Sequence, residues 1–135
     1  MTIVLADMDA SFLDRLQRRL EKIMGVKVVR ESSNLNEAIA MILNRNPDVA
    51  IVNSMLQGGS GIDVLRHIRQ LMVPPTIIVV TENPTLDNKH AYAVAGADFF
   101  FDKTTEERKL ITTVRRLCVP QDRIEASDVS LRHVQ

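Results

Sequence analysis

The sequence predicts an α/β domain built on a doubly wound parallel sheet, and three observations carry that expectation. Five short apolar runs recur at fairly even spacing, the runs do not alternate apolar with polar residues, and amphipathic periods separate them. Non-alternating runs belong to strands covered on both faces, as in parallel sheets. Strict alternation of strand and helix implies right-handed crossovers, with helices on both faces of the sheet.

Strands are expected at Ile3 to Ala6, Val26 to Arg30, Val49 to Val52, Thr76 to Val80 and Ala97 to Phe101, where β-branched and aromatic residues concentrate. Between them Phe12, Leu13, Leu16, Leu20 and Ile23 mark a first apolar stripe. Leu35, Ala38, Ile39 and Ile42 mark a second; Ile62, Leu65, Ile68 and Leu71 a third; and Leu110, Ile111, Val114 and Leu117 a last one. Helix starts are expected where a side-chain oxygen precedes a carboxylate by three residues: Ser11 with Asp14, Asn34 with Glu37, Ser60 with Asp63, and Thr104 with Glu107. The segment from Pro84 to Ala95 is less periodic, but Pro84 suits a first helical turn and Gly96 a stop. Five strand and helix pairs give a flavodoxin-like (βα)5 fold, with strand order 2-1-3-4-5. The expected domain is 1–119, and 120–135 is expected to be a flexible tail opened by Pro120.

With 135 residues, 45% hydrophobic and 25% charged, the chain suits one domain able to bury an apolar core. Seventeen basic against seventeen acidic residues leave no net charge, so no global field draws in nucleic acid or anionic membrane, and neither is an expected partner. Apolar runs such as Ile77 to Val80 are far shorter than the roughly 20 residues of a membrane helix. The amino terminus has no basic segment followed by an apolar one, so no signal peptide is expected. The lone Cys118 points to a reducing compartment, and the expected location is cytoplasmic.

Open parallel sheets bind ligands beyond the carboxyl ends of their strands. That rule selects Asp7, Met8 and Asp9, then Asn53, then Thr81 and Glu82, then Asp102 and Lys103. Other features read as structural. Arg15, Arg18, Arg19 and Lys22 look like a basic helix face, but Asp14 and Glu21 dilute it, which suits a solvated surface. His67, His90 and His133 show no metal spacing, and Gly58, Gly59 and Gly61 lack the lysine and hydroxyl of a phosphate loop. Phe99, Phe100 and Phe101 must point to alternate faces of their strand.

The run from Pro47 through Asn53 to Gly61, then Thr81, then Ala95-Gly96-Ala97-Asp98, then Lys103, occur in an order and spacing that resemble the response regulator receiver domain, the CheY-like module of two-component signalling. The resemblance covers about residues 3 to 117. It implies that Asn53 occupies the position of the phosphoacceptor aspartate. It further implies that Asp7 and Met8 occupy the positions of the paired acids that hold magnesium, with Asp9 beside them. Thr81, Lys103 and Phe100 take the positions of the switch hydroxyl, the phosphate-binding lysine and the rotating aromatic. Gln57 and Thr104 stand where prolines are usual.

Two departures change the expected chemistry. An amide lacks the anionic nucleophile that attacks a phosphoryl group, so Asn53 is not expected to be phosphorylated. A thioether is a poor ligand for magnesium, so weak or absent binding of that ion is expected, with no other cofactor. The pocket is expected to balance Asp7 against Lys103, with the lysine amine facing Asn53 and Asp7. The resulting expectation is a phosphorylation-independent binding module, not an enzyme. Its expected partners are a histidine kinase or a downstream effector, and a homodimer could form through the fourth helix, fifth strand and fifth helix. Two alternatives stand beside it. One is a small nucleotide- or cofactor-binding domain or enzyme of the same topology, which would need a nucleophile or a glycine cradle. The other is an ordinary receiver silenced by an introduced Asn53, which would leave Met8 unexplained.

Overall fold

The computed structural model describes residues 1–31 and 34–119; the tail expected at 120–135 lies outside the described residues. Its main sheet has five parallel strands: β1 (Thr2–Ala6), β2 (Lys27–Glu31), β3 (Val49–Asn53), β4 (Thr76–Thr81) and β5 (Phe99–Asp102). Their order is β2-β1-β3-β4-β5, as the flavodoxin-like arrangement requires. The order reverses at β1 and β3, which places their carboxyl ends side by side, with Ala6 opposite Val52.

Five helices complete the units: α1 (Ala10–Leu20), α2 (Leu35–Arg45), α3 (Gly61–Ile68), α4 (Leu86–Ala95) and α5 (Glu107–Leu117). Strand residues of alternate parity feed two cores. Ile3, Leu5, Val49, Ile51, Ile78 and Val80 face α1 and α5, whereas Val4, Ala6, Ala50, Val52, Ile77 and Val79 face α2, α3 and Tyr92 of α4. Each fully buried aliphatic side chain contributes about 1.5–3 kcal/mol. The two cores, rather than helix propensity, therefore hold the layers together.

Several boundaries differ from the sequence expectation. Helix α1 is capped by Asp9, whose carboxylate accepts the Phe12 N–H at 3.2 Å, so Ser11 lies inside the first turn. Asn34 and Ser60 do cap α2 and α3: the Asn34 side chain accepts from Asn36 and Glu37 N–H, and the Ser60 N–H donates to Asp63. Helix α4 starts beyond Pro84, at a Thr85 cap whose hydroxyl accepts from Asn88 N–H at 3.1 Å. Thr104 is not the α5 cap. Its N–H is taken by the Asp102 carboxylate at 2.8 Å, which holds the chain in a turn until Glu106. Strand β5 begins two residues late because Ala97 N–H still bonds Tyr92 carbonyl at 2.9 Å, closing α4 through Gly96 at φ 109°. Only glycine adopts that left-handed conformation at low cost.

Candidate functional site

Among the described residues four polar or charged side chains are buried: Asp7, Asn53, Thr81 and Lys103. All four were singled out by position in the sequence, and they meet at the carboxyl edge of the sheet. β1 delivers Asp7, β3 ends on Asn53, β4 ends on Thr81, and Lys103 follows β5. They line an open cleft of about 290 Å³ with Met8, Asp9, Ser54, Met55, Glu82 and Asn83.

Asp7 is the hub. Its carboxylate accepts from Asn53 Nδ2 at 2.8 Å, from Lys103 Nζ at 3.0 Å and from Asp9 N–H at 2.8 Å. The other end of the Asn53 amide is also engaged, since Oδ1 accepts the Met55 N–H at 2.9 Å. This orientation of the amide is the one that satisfies both neighbours, a carboxylate needing a donor and a backbone N–H needing an acceptor. A hydroxyl chain continues outward: Ser54 Oγ donates to Thr81 Oγ1 at 2.9 Å, and Thr81 Oγ1 accepts Asn83 N–H at 3.0 Å. No buried side-chain nitrogen or oxygen among the described residues lacks a partner.

The lysine meets Asp7 as expected and adds partners that were not expected. Lys103 Nζ bonds Asp7 and Glu82 (3.3 Å), lies 3.8 Å from Asp9, and sits 4.5 Å from the centroid of the Phe12 ring. It makes no hydrogen bond to Asn53; the two meet on Asp7, the lysine amine 3.0 Å from each carboxylate oxygen and the amide on Oδ2 at 2.8 Å. The expected balance of one acid against one lysine is also incomplete, because three carboxylates surround the ammonium. The exposed Asp9 and Glu82 are screened by water, so the buried pair, Asp7 with Lys103, sets the internal balance.

Met8 stands half exposed on the cleft wall, and Phe100 lies outside the cleft. The phenylalanine run alternates as its strand demands. Phe99 and Phe101 stack at 6.2 Å toward the α1/α5 core, while Phe100 turns the other way, 5.6 Å from the ring of Tyr92.

Two contributors, Ser54 and Tyr92, were not among the residues selected from sequence, whereas Glu82 was selected but given no role. Ser54 follows Asn53 directly, and Glu82 follows Thr81. Tyr92 is the chain's single tyrosine, in the helix of weakest apolar period, and its hydroxyl donates to the Ser54 carbonyl at 3.1 Å. Burial pushes its phenol above the ordinary value. Gly61 makes room for the ring: a Cβ there would stand 3.2 Å from Tyr92 Cε1 and 3.1 Å from the Asn53 carbonyl oxygen.

Residues 3–115 match the sequence model of the response regulator receiver domain, and the chain belongs to that family. Its relatives include the phosphate regulon transcriptional regulatory protein PhoB of Pseudomonas aeruginosa, 31% identical over 84% of this chain and 50% of that one. Another is the nitrate/nitrite response regulator protein homolog of Haemophilus influenzae, 31% identical over 67% of this chain and 44% of that one. The chain thus spans about half the length of these curated relatives. A CheY-like receiver domain protein from Methanospirillum hungatei superposes with a TM-score of 0.76 at 26% identity, covering 86% of this chain and 91% of that one. The protein is therefore a receiver domain of two-component signalling, a class that exchanges signals with histidine kinases and effectors. Among the described residues no helix is long and apolar enough to cross a membrane.

Proposed function

We propose that this receiver signals through protein contacts without being phosphorylated at residue 53. The observation that carries the reading is the double engagement of the Asn53 amide, donor to Asp7 and acceptor from Met55 N–H. The phosphoacceptor chemistry of the family needs an anion there, with magnesium and lysine screening the incoming phosphoryl oxygens. An amide supplies no such anion, and the lysine is committed to Asp7. The donor set also does not fit magnesium: one buried carboxylate already holding three donors, two exposed carboxylates turned to Lys103, a neutral amide and a thioether, where the ion wants several free hard oxygens.

In this reading the domain is a binding module with no catalytic role and no cofactor, and its own surface contacts neither nucleic acid nor membrane. Its partners are a histidine kinase or a downstream effector. The α4–β5–α5 face is the favoured contact, including contact between two copies, because α4 buries only Tyr92 and leaves Leu86 and Val94 exposed. Tyr92 ties that face to the cleft by its bond to Ser54 and its packing on Phe100, which holds the face in one state.

Thermal melting with and without millimolar magnesium tests the reading. The melting temperature is expected to be unchanged by the ion, and a clear upward shift overturns the metal-free account.

A further inference from the structure

Apart from Arg18, which lines one groove with Asp14, Gln17 and Glu21, the charges of α1 are sorted by flank. Asp14, Gln17 and Glu21 recur at helical spacing on the side turned to β2. There Asp14 Oδ1 pairs with Arg30 at 2.5 Å, and Glu21 accepts from Gln17 and from Val28 N–H. The acids expected to dilute the basic face are thus drawn away from it. Arg15, Arg19 and Lys22 recur at i, i+4 and i+7 on the opposite flank, where Glu107 of α5 bridges both arginines.

On α5 Glu107, Ile111 and Cys118 are among the positions that meet the first unit, with Leu110 and Val114 in the same core. Ile111 is buried in the core shared with α1, and Cys118 Sγ lies 3.6 Å from the Met24 carbonyl oxygen. Arg108 and Arg115 flank Ile111 at i−3 and i+4 along that edge, and both are exposed. Among the described residues the seam between α1 and α5 therefore carries five cations against one carboxylate in a chain with no net charge. Among the described residues Lys22, Arg108 and Arg115 are paired with no carboxylate.

We propose that this seam docks an acidic amphipathic helix of a partner protein. Glu107 supplies the internal precedent: a carboxylate seated between Arg15 and Arg19 is what the upper part of the seam already accepts. Below it Lys22 and Arg115 offer the same charge, with no acid paired to either among the described residues. Neighbouring helices pack with axes about 8–10 Å apart, leaving a furrow into which a third helix can lie, and glutamates along that helix can pair with the exposed Lys22 and Arg115, which Glu107 does not serve. At the foot of the seam Met24 is 93% exposed and Val119 40% exposed. That apolar end suits one hydrophobic residue of a peptide and has no counterpart on a phosphate backbone. The seam lies apart from the Asn53 cleft, so its test does not depend on the phosphorylation chemistry.

The probe is a fluorescein-labelled synthetic helix with glutamates at i, i+4 and i+7 followed by leucine. Its binding to the full chain is followed by anisotropy at low and physiological salt. The expected result is saturable binding that weakens with salt and falls at least about tenfold in the double variant Lys22→Glu/Arg115→Glu. The control Lys89→Glu on α4 should leave it unchanged. Because both replaced residues are exposed, circular dichroism should show an intact fold; the milder pair Lys22→Gln/Arg115→Gln gives a second reading, with a smaller loss. Absence of binding to the wild type, affinity insensitive to both double variants, or tighter binding of a DNA duplex or of phosphatidylserine vesicles than of the peptide would each overturn the proposal.

Discussion

Asn53 Nδ2 donates to Asp7 Oδ2 at 2.8 Å across the carboxyl edge of the sheet, and this bond decides what residue 53 can be. Both side chains are buried, so the contact is made at low effective dielectric, where exchanging a donor for an anion is costly.

Replacing Asn53 by aspartate sets two carboxylates against each other with one buried lysine, already bonded to Asp7, to balance both. The variant Asn53→Asp should lose about 1–3 kcal/mol at neutral pH, measured by urea unfolding. Equal or greater stability would show that the hydrogen bond is not what favours the amide.

Lys103 and Asp7 are 6% and 3% exposed in their side chains, the most enclosed ion pair described. Removing the lysine strands a buried anion. Lys103→Ala should therefore cost about 3–5 kcal/mol, well above the effect of Glu82→Gln, which removes an exposed partner worth at most about 1 kcal/mol. Comparable losses in the two variants would contradict this ranking.

The architecture was legible because its signals are redundant: five non-alternating runs and intervening stripes fixed the sheet and its order even where single caps were misread. Ser11 and Thr104 failed as caps because a carboxylate upstream, Asp9 or Asp102, captured the decisive backbone N–H first, a competition that spacing alone does not rank. At the site, strand ends located Asp7, Asn53, Thr81 and Lys103, since topology dictates where those ends meet. The hydrogen-bond partners were less accessible. Lys103 turning to Asp7 and Glu82, and Tyr92 reaching back from α4 to Ser54, depend on side-chain packing between segments far apart in sequence.

Glu107 links stability to acidity. Burial pushes its carboxyl up, but hydrogen bonds and charge from Arg15 and Arg19 outweigh that and hold it below its ordinary value of 4.5. A group whose folded value is depressed contributes stability fully above the unfolded value and loses it as pH falls through the folded one. The wild type should therefore exceed Glu107→Gln in stability near neutrality. That difference should shrink as pH falls below about 4.5 and through the depressed folded value, read by denaturant unfolding at each pH; a constant difference contradicts the linkage.

Tyr92→Phe keeps the ring against Phe100 and removes the bond to Ser54. Because Gly61 N–H still serves the Ser54 carbonyl at 3.0 Å, the cost should be modest, about 0.5–1.5 kcal/mol. Hydrogen exchange should quicken in α4 and at residues 54–61 together. Faster exchange confined to α4 would show that the tyrosine does not couple the two segments.

The most direct measurement is the intact mass of the chain after incubation with acetyl phosphate and magnesium. The account predicts an unchanged mass, since no anionic oxygen stands at position 53 to take the phosphoryl group. A stable gain of one phosphoryl group that is mapped to the cleft would contradict it.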